Sequence, residues 1–261
     1  MPSLYNAIGT NYVATRRPDP EIVAQLATLL ALESGRQYLD VGCGTCNYTS
    51  AMAAQGGSWF GVDASEVMLQ TARRKYQMLS LTLGDAHALP FKTGTFDGAI
   101  CTLAIHHFSD LAAAFSEVRR VIRSGRFVIF TGVAEQMQNY WLWHYFPQMM
   151  QRSTSSMPSS DLIRKALLSA GFNQVNALPY SVGEELQDLF LYSGKYRPKL
   201  YFNQTVRSNI SSFARLCSED ELRSGLERLR SDVASGAFKN VAASFSSSEG
   251  DYAYVTARTD A

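Results

Sequence analysis

The sequence predicts an α/β fold in which helices flank a largely parallel β-sheet. Short apolar runs alternate with amphipathic helical stretches, a glycine-rich turn follows the first apolar run, and residues 96–103 form a near-continuous apolar run. A run of that kind is typical of a strand that is buried on both faces. Strands that alternate with helices need crossover connections, which favour a parallel sheet.

The first half of the chain supplies five strands and the helices between them. A helix begins after Asp19, whose carboxylate can cap it, and it carries apolar side chains at helical spacing to residue 30. Ser65 is the equivalent cap of a helix that runs through residue 72. Strands are predicted at 38–41, 59–62, 80–83, 96–103 and 127–130, and further helices at 47–55 and 111–122.

The pattern changes after Gly132, where two insertions interrupt the alternation. We expect these insertions, at about 134–160 and 184–240, to form a helical cap over the carboxyl edge of the sheet. Helices are predicted at 161–170, 184–193, 205–217 and 219–234, and strands at 172–177 and 252–257. The whole chain, 1–261, is predicted to be a single domain with its core at 20–133, 161–178 and 250–258.

The composition excludes some classes of function. Of 261 residues, 24 are Lys or Arg and 23 are Asp or Glu, without a basic stripe, so no nucleic-acid partner is expected. No run approaches the ~20 apolar residues of a membrane span, and no secretory signal is expected at the N-terminus. We therefore expect no membrane partner. The four cysteines do not suggest a disulfide framework, which predicts a cytoplasmic setting.

A glycine-rich turn follows the first predicted strand. Gly42 and Gly44 let the backbone turn tightly and bring a ligand against bare peptide groups. Ligands of open α/β sheets bind outside the carboxyl ends of the strands, where this turn lies. Asp63 ends the second predicted strand, and a carboxylate there can accept hydrogen bonds from both hydroxyls of a ribose. These features indicate a nucleoside ligand and fit NAD as well as S-adenosylmethionine.

Further stretches of the sequence distinguish between these two cofactors. They are Leu39-Asp-Val-Gly-Cys-Gly-Thr45, Gly61-Val-Asp63 with Ser65 and Met68-Leu69, Gly84-Asp-Ala86, Ala88-Leu-Pro-Phe91 followed by Thr95-Phe-Asp97, and His106-His-Phe108 with the helix at 115–122. In this order and spacing the sequence resembles the class I S-adenosylmethionine-dependent methyltransferases with a type 11 methyltransferase domain. It is most similar to the small-molecule branch that includes the ubiquinone and menaquinone methyltransferases. The similarity covers residues 5–131, half of the chain.

The resemblance implies a Rossmann-like methyltransferase sheet of seven strands, parallel apart from the last, and S-adenosyl-L-methionine as cofactor. It implies that Gly42 and Gly44 border the methionine part and that Asp63 holds the ribose. Asp40 is expected either to accept backbone N–H groups of the loop or to contact the ammonium of the cofactor. The other contacts that the resemblance implies are Tyr12 and Arg16, which match residues that close over the cofactor, Asp85 and Ala86 at the adenine, and Ala64, Met68 and Leu103.

One residue departs from the family pattern. Cys46 stands where the family has a third glycine, and its side chain is expected to crowd the cofactor slightly. Cys43 and Cys46 also form a Cys-x-x-Cys pair. Because no second pair of ligands follows and the loop already serves the cofactor, no metal is expected.

Two histidines are the candidate catalytic residues. His106 and His107 follow the fourth predicted strand, near the expected place of the transferred methyl group. Each is a packing residue, a wall residue of the site or a general base. Methyl transfer from a sulfonium is an in-line displacement that positioning alone can accelerate. A base is needed only if the acceptor must lose a proton.

The insertions are rich in aromatic residues. Such residues form either the core of a cap or an apolar pocket for the acceptor, where aromatic faces can also attract a cation. The candidates for acceptor binding are Trp141, His144, Tyr145 and Tyr192.

The predicted function is methyl transfer from S-adenosylmethionine to an O, N or activated C atom of a small, ring-containing metabolite. One alternative is a non-catalytic S-adenosylmethionine-binding protein, which Cys46 in the loop would favour. The other is a nicotinamide-dependent dehydrogenase, which the Gly84-Asp85-Ala86 stretch and the lack of a separate substrate domain disfavour.

Overall fold

The computed structural model describes residues 15–259. Within these residues the strands are β1 (Gln37–Val41), β2 (Ser58–Asp63), β3 (Ser80–Leu83), β4 (Gly98–Thr102), β5 (Arg126–Thr131), β6 (Gln174–Tyr180) and β7 (Tyr252–Arg258). The helices are α1 (Pro20–Leu30), α2 (Asn47–Gln55), α3 (Glu66–Lys75), α4 (Leu111–Val121), α5 (Ala134–Met137), α6 (Leu142–Tyr145), α7 (Pro147–Ser155), α8 (Ser160–Ser169), α9 (Gln204–Ser208), α10 (Glu219–Ser235) and α11 (Phe238–Ser244). Short 3-10 segments lie at Ile105–His107 and Pro198–Phe202, and a π-helical turn at Ser212–Leu216.

The strands form one sheet in the order β3-β2-β1-β4-β5-β7-β6. Strand β7 is antiparallel to β5 and β6, and the other neighbouring strands are parallel. The chain steps outward from β1 to β3 and returns to the other side of β1 at β4. The strand order therefore reverses between β1 and β4, and sheets of this kind bind ligands at that crevice. The predicted seven-stranded sheet, with its last strand antiparallel, is confirmed.

Local sequence explains where two helices begin. The Oδ1 atom of Asp19 accepts hydrogen bonds from the backbone N–H groups of Glu21 and Ile22, at 3.0 and 3.2 Å. The Ser65 hydroxyl accepts one from the N–H of Met68. These groups have no acceptor inside their own helix, so the side chains stabilise the helix ends. Both predicted caps are confirmed.

Apolar side chains pack on both faces of the sheet. Along β5, Val128 and Phe130 point to the face that carries α1 and the cap, whereas Phe127 and Ile129 point to the face that carries α4 and α8. Successive strand residues face opposite sides, so a strand covered on both sides is apolar throughout. The core thus has two layers, one on each face of the sheet.

The insertions after β5 and β6 pack against each other and form the helical cap. Glu221 of α10 is buried, and its carboxylate accepts hydrogen bonds from the N–H groups of Gln148 and Met149 at the start of α7, at 2.7 and 3.1 Å. A Cβ at Gly225 would lie 2.4 Å from the Phe146 ring, so α10 can approach that ring only with glycine there. The cap predicted after strands 5 and 6 is confirmed.

The helix predicted at 184–193 is wrong, because this segment forms turns. Two of its backbone N–H groups bond to residues near the N-terminus. Gln187 donates to Oδ2 of Asp19 at 2.9 Å, and Leu189 donates to the carbonyl of Thr15 at 3.2 Å. Tertiary contacts override the helical periodicity here.

The helix predicted at 205–217 is interrupted. Helix α9 ends at Ser208, and the π-helical turn begins at Ser212. Between them the Asn209 side chain donates to the carbonyl of Thr205 at 3.0 Å. Polar side chains that bond the backbone compete with helical hydrogen bonds.

The strand predicted at 172–177 lies later, at Gln174–Tyr180. Across residues 15–259, none of the helices has both the length and the apolar character that crossing a membrane requires.

Candidate active site

The turn after β1 brings bare backbone to the carboxyl edge of the sheet. Gly42 and Gly44 have φ values of +71° and +53°, which glycine adopts without strain. A Cβ at Gly42 would lie 2.7 Å from the Cβ of Ala104, in the loop after β4. The loops after β1 and β4 can therefore meet only because residue 42 has no side chain.

Asp63, at the end of β2, holds this turn in place. Its Oδ2 atom accepts a hydrogen bond from the N–H of Gly44 and its Oδ1 atom accepts one from the N–H of Ser65, both at 2.8 Å. Burial raises the pKa of Asp63, and these hydrogen bonds oppose the shift. Each carboxylate oxygen can accept a second hydrogen bond. The side chain can therefore hold the turn and a ligand together.

Asp40, in β1, is a buried carboxyl group with one unpaired oxygen. Its Oδ2 atom accepts a hydrogen bond from the Thr49 hydroxyl at 2.6 Å, whereas Oδ1 has no partner among residues 15–259. Burial raises the pKa of Asp40 to about 7; the Thr49 hydrogen bond opposes the shift and the Asp63 carboxylate adds to it. A buried carboxylate oxygen without a partner is unfavourable, so this position favours a ligand with a cationic donor.

These residues line a first cavity of about 360 Å³ at the point where the strand order reverses. Tyr12 lies outside the described residues. The other residues predicted to contact the cofactor all line the first cavity: Arg16, Asp40, Gly42, Gly44, Asp63, Ala64, Met68, Asp85, Ala86 and Leu103. The wall also includes Tyr48, His87 and Asp188, which were not predicted from the sequence.

His87 and Asp85 form a pair in the loop after β3. The Nδ1 atom of His87 lies 2.6 Å from Oδ1 of Asp85, and the His87 backbone N–H donates to the same oxygen at 2.9 Å. The backbone and side-chain hydrogen bonds from His87 lower the pKa of Asp85. A ligand at this wall therefore meets an ionised carboxylate. In the sequence, His87 could have been identified as a site residue by its position two residues after Asp85, in a loop that faces the ligand.

Arg16 joins the segment before α1 to the cap. Its Nε and Nη2 atoms donate to the two carboxylate oxygens of Asp188, at 2.5 and 3.0 Å, and the Tyr48 hydroxyl donates to the same group at 3.1 Å. Asp188 is only 1% exposed. A shielded, two-pronged Arg–carboxylate pair fixes the guanidinium in position.

A second cavity, of about 450 Å³, adjoins the first. Arg16, Leu103 and His107 line both, so the two spaces meet at these side chains. Leu103 has φ +53°, a left-handed conformation that non-glycine residues adopt mainly where surrounding structure imposes it, often at functional sites. The rest of the second wall is formed by His106, Met137, Ser153, Ser156, Met157, Phe190, Leu191, Asn209, Ile210, Ser211, Ser212, Arg215, Leu216 and Tyr252.

His106 and His107 lie together at this second wall, with ring centroids 3.9 Å apart. Burial lowers the pKa of His106 to about 3, and repulsion from His107, when that ring is protonated, and from Arg16 contributes. His107 is exposed, yet desolvation by the surrounding protein lowers its pKa to about 4, and the charge of Arg215 contributes. Both imidazoles are therefore neutral near pH 7. The Nδ1 atom of His106 has no hydrogen-bond partner among the described residues.

The structure corrects the prediction that Trp141, His144, Tyr145 and Tyr192 bind the acceptor. None of them lines the second cavity. Trp141, Tyr145 and Tyr192 are at most 2% exposed and fill the interior of the cap, where the Tyr192 hydroxyl accepts a hydrogen bond from the backbone N–H of Trp141 at 3.2 Å. His144 is exposed on the surface. These aromatics form the core of the cap, which was the alternative interpretation of their pattern.

The structure also corrects the expectation that Cys46 crowds the cofactor. Its side chain is fully buried and is not part of the first wall. The backbone has φ +60°, a left-handed conformation that is unfavourable by roughly 1–2 kcal/mol for a residue with a side chain. The glycine of the family pattern thus matches the backbone conformation here. No group of three or more His, Cys, Asp or Glu side chains within residues 15–259 is arranged to hold a metal ion.

The strand order, the glycine turn after β1 and the acidic residue that ends β2 together define a class I methyltransferase. Comparisons with known proteins agree. The family model described as "Methyltransferase domain" matches residues 39–130. The demethylmenaquinone methyltransferase of Staphylococcus saprophyticus is 26% identical over 178 residues, which cover 58% of this chain and 76% of that protein.

A solved structure is similar over nearly the whole chain. It is named "Putative methyltransferase from antibiotic biosynthesis pathway" and comes from Anabaena variabilis. It has a TM-score of 0.84 and 34% identity to this chain, and the match covers 93% of this chain and 98% of the other. The chain therefore belongs to the methyltransferase domain family, and it is an S-adenosylmethionine-dependent enzyme. The predicted family, cofactor and enzyme class are confirmed, and the dehydrogenase and non-catalytic alternatives are set aside.

Proposed function

We propose that the protein transfers a methyl group from S-adenosylmethionine to an O, N or activated C atom of a small, ring-containing acceptor bound in the second cavity. One observation carries this proposal: the second cavity meets the first at Arg16, Leu103 and His107. Phe190 and Tyr252 supply aromatic wall there, and ligand sites for ring compounds are mostly apolar with few polar groups.

The relatives support a small acceptor. The curated relative described above is named for demethylmenaquinone, a ring-containing small molecule. At 26% identity this name supports a class of acceptor and not a particular compound. The family model matches residues 39–130, which leaves out the cap that forms most of the second wall.

We assign the cofactor to the first cavity, whose residues fit a cationic nucleoside. The unpaired Oδ1 atom of Asp40 supports binding of the ammonium group, and the remaining lone pairs of Asp63 support binding of the ribose hydroxyls. Gly42 and Gly44 would border the methionine part, with Arg16 and Leu103 at the reacting end. The remaining contacts we propose are Asp85 and Ala86 at the adenine, together with Ala64 and Met68.

The chain itself positions the acceptor. When bound, S-adenosylmethionine supplies an activated methyl group on a sulfonium. Because holding two reactants in line removes much of an entropic barrier, a second cavity that opens onto the first can provide much of the acceleration. The Arg16–Asp188 pair holds the boundary between the cavities rigid.

We propose that His106 and His107 are wall residues that orient the acceptor. A neutral imidazole can accept one hydrogen bond and donate another, and both histidines line the second cavity. With a pKa lowered to about 3, His106 is a weak proton acceptor near pH 7. Orientation of the acceptor is therefore favoured over general-base catalysis.

The test combines an acceptor screen with a blocked cavity. Hydroxylated, amino-substituted and enolisable ring compounds are incubated with the enzyme and S-adenosylmethionine that carries a radioactive methyl group. Ile210→Trp fills the second cavity, whereas Ala214→Trp adds the same side chain at an exposed position of the same segment. We expect Ile210→Trp to abolish methyl transfer and keep S-adenosylhomocysteine affinity, and Ala214→Trp to keep both. Normal turnover by Ile210→Trp would refute the proposed acceptor site.

Two further expectations stay predictions. The division of residues 1–261 into one domain with two cap insertions can be tested by limited proteolysis, which should release no stable half. The cytoplasmic setting is supported by the four cysteines, all free thiols, and cell fractionation would test it.

A further inference from the structure

The charged side chains that line the second cavity are basic. Of residues 15–259, Arg16 and Arg215 contribute guanidinium groups to its wall, and no Asp or Glu contributes a carboxylate. Arg16 is already neutralised by Asp188, which lies at the first cavity. The uncompensated charge of the second wall is therefore that of Arg215.

Arg215 differs from Arg152, Arg223 and Arg228 of the cap in its contacts. Arg152 and Arg228 donate to backbone carbonyls, and Arg223 forms an ion pair with Asp220. Within residues 15–259, Arg215 has neither an ion pair nor a hydrogen bond to a carboxylate. Its positive charge instead acts on the cavity, where it helps to lower the pKa of His107.

The backbone around Arg215 directs it to the cavity. It lies in the π-helical turn Ser212–Leu216, and the cavity wall takes Ser212, Arg215 and Leu216 from this turn. Isolated π-helical turns are rare and occur often at functional sites. The Ser212 hydroxyl is already engaged with that of Ser153 at 2.7 Å. Arg215 is therefore the charged donor that this segment presents to a ligand.

Arg215 is exposed, and a ring compound bound beside it would displace part of the water that its guanidinium contacts. That is unfavourable unless an anion replaces the water, and a planar carboxylate matches the two-pronged donor geometry of arginine. We propose that the acceptor is an aromatic or other ring-containing carboxylate whose anionic group binds Arg215. This inference rests on the proposed function, because it takes the second cavity as the acceptor site.

The test compares two probes that differ in one charge. Binding of 2-naphthoate and of the neutral 2-naphthamide to protein saturated with S-adenosylhomocysteine is measured by calorimetry. We expect the carboxylate to bind about tenfold more tightly or better, since hydrogen bonds to charged groups are the stronger class. Arg215→Gln should remove this preference, Arg215→Lys should keep part of it, and Arg223→Gln, at an exposed ion pair of α10, should leave it intact.

The outcomes separate this inference from the proposed function. If Arg215→Gln keeps the preference for the carboxylate, or if the parent protein shows none, the inference is overturned. Failure of 2-naphthoate to bind at millimolar concentration overturns it as well. Normal binding of S-adenosylhomocysteine shows that each variant is folded. If Ile210→Trp leaves binding of both probes unchanged, the acceptor site lies elsewhere and the proposed function itself fails.

Discussion

Cofactor affinity should depend on pH through Asp40. Burial raises the pKa of this carboxyl to about 7, so near neutrality roughly half of the ligand-free protein carries it protonated. A cationic ammonium binds the ionised form, and binding therefore expels a proton from the protonated fraction. Asp40→Asn removes the titration and keeps an oxygen that can accept the Thr49 hydroxyl.

The size of the effect follows from the pKa. One pH unit below this pKa, Asp40 is ionised in about one molecule in eleven, and one unit above it in about ten in eleven. Affinity for the cofactor should therefore rise about tenfold between about pH 6 and about pH 8. Stability without ligand should change in the opposite direction. The pKa of Asp40 is higher in the folded protein than in the unfolded protein, where it is 3.8. The contribution of Asp40 to the free energy of unfolding is therefore fully present below pH 3.8 and is lost as the pH rises through about 7.

Calorimetry with S-adenosylhomocysteine, which keeps the ammonium and lacks the sulfonium, measures this directly. The parent protein should show the tenfold rise and release protons, which titrations in buffers of different ionisation enthalpy quantify. His87 also lines the first cavity, so His87→Gln is the control and should keep the rise. Asp40→Asn should bind more weakly at high pH with a flat profile. If Asp40→Asn keeps the slope of the parent, the reasoning is refuted.

Four further substitutions test the site and the cap. Asp63→Ala should weaken binding of S-adenosylhomocysteine by roughly tenfold or more, because hydrogen bonds to a charged group contribute about 1.5–3 kcal/mol each; unchanged affinity by calorimetry would contradict this. Cys46→Gly relieves a left-handed backbone but removes a buried side chain, so urea unfolding should shift by less than about 1 kcal/mol and cofactor affinity should not change; a clear gain in affinity would show that the thiol does crowd the ligand. Trp141→Ala should lower the free energy of unfolding by about 3–5 kcal/mol, whereas the exposed His144→Ala should stay within about 0.5 kcal/mol; equal urea curves for these two would mean that Trp141 is not core.

The cofactor half could be predicted because short-range rules govern its residues. Asp19 caps the helix that follows it, and Gly42 and Gly44 occupy positive φ values that the turn requires. Asp63 ends a strand whose place in a parallel sheet puts it at the ligand edge. Each role depends on neighbours in sequence or on the period of a strand, and the sequence displays both directly.

The acceptor half could not be predicted in the same way. A core and a pocket are both apolar, so the sequence does not distinguish Trp141, inside the cap, from Phe190, at the second cavity. Segment 184–193 has helical periodicity, yet two of its N–H groups bond to the distant Asp19 and Thr15. Arg215 lies in a π-helical turn, which has no periodic signature. These features arise from contacts between residues far apart in sequence.

Replacement of His106 separates orientation from base catalysis. Burial lowers its pKa from the ordinary 6.5 to about 3, so the imidazole stays neutral as pH falls through 6.5 and gains a proton only far below. A base this weak gives little advantage near neutrality, since proton transfer is most efficient when the pKa lies close to the working pH. We therefore expect His106→Ala to lower kcat by less than about 100-fold, and His106→Gln, which keeps a hydrogen-bonding group, to recover part of the loss. Single-turnover methyl transfer, with an acceptor from the screen, should show no rise centred near pH 6.5 that depends on His106. A loss above about 100-fold that glutamine does not reduce, together with such a rise in the parent alone, would identify His106 as the general base.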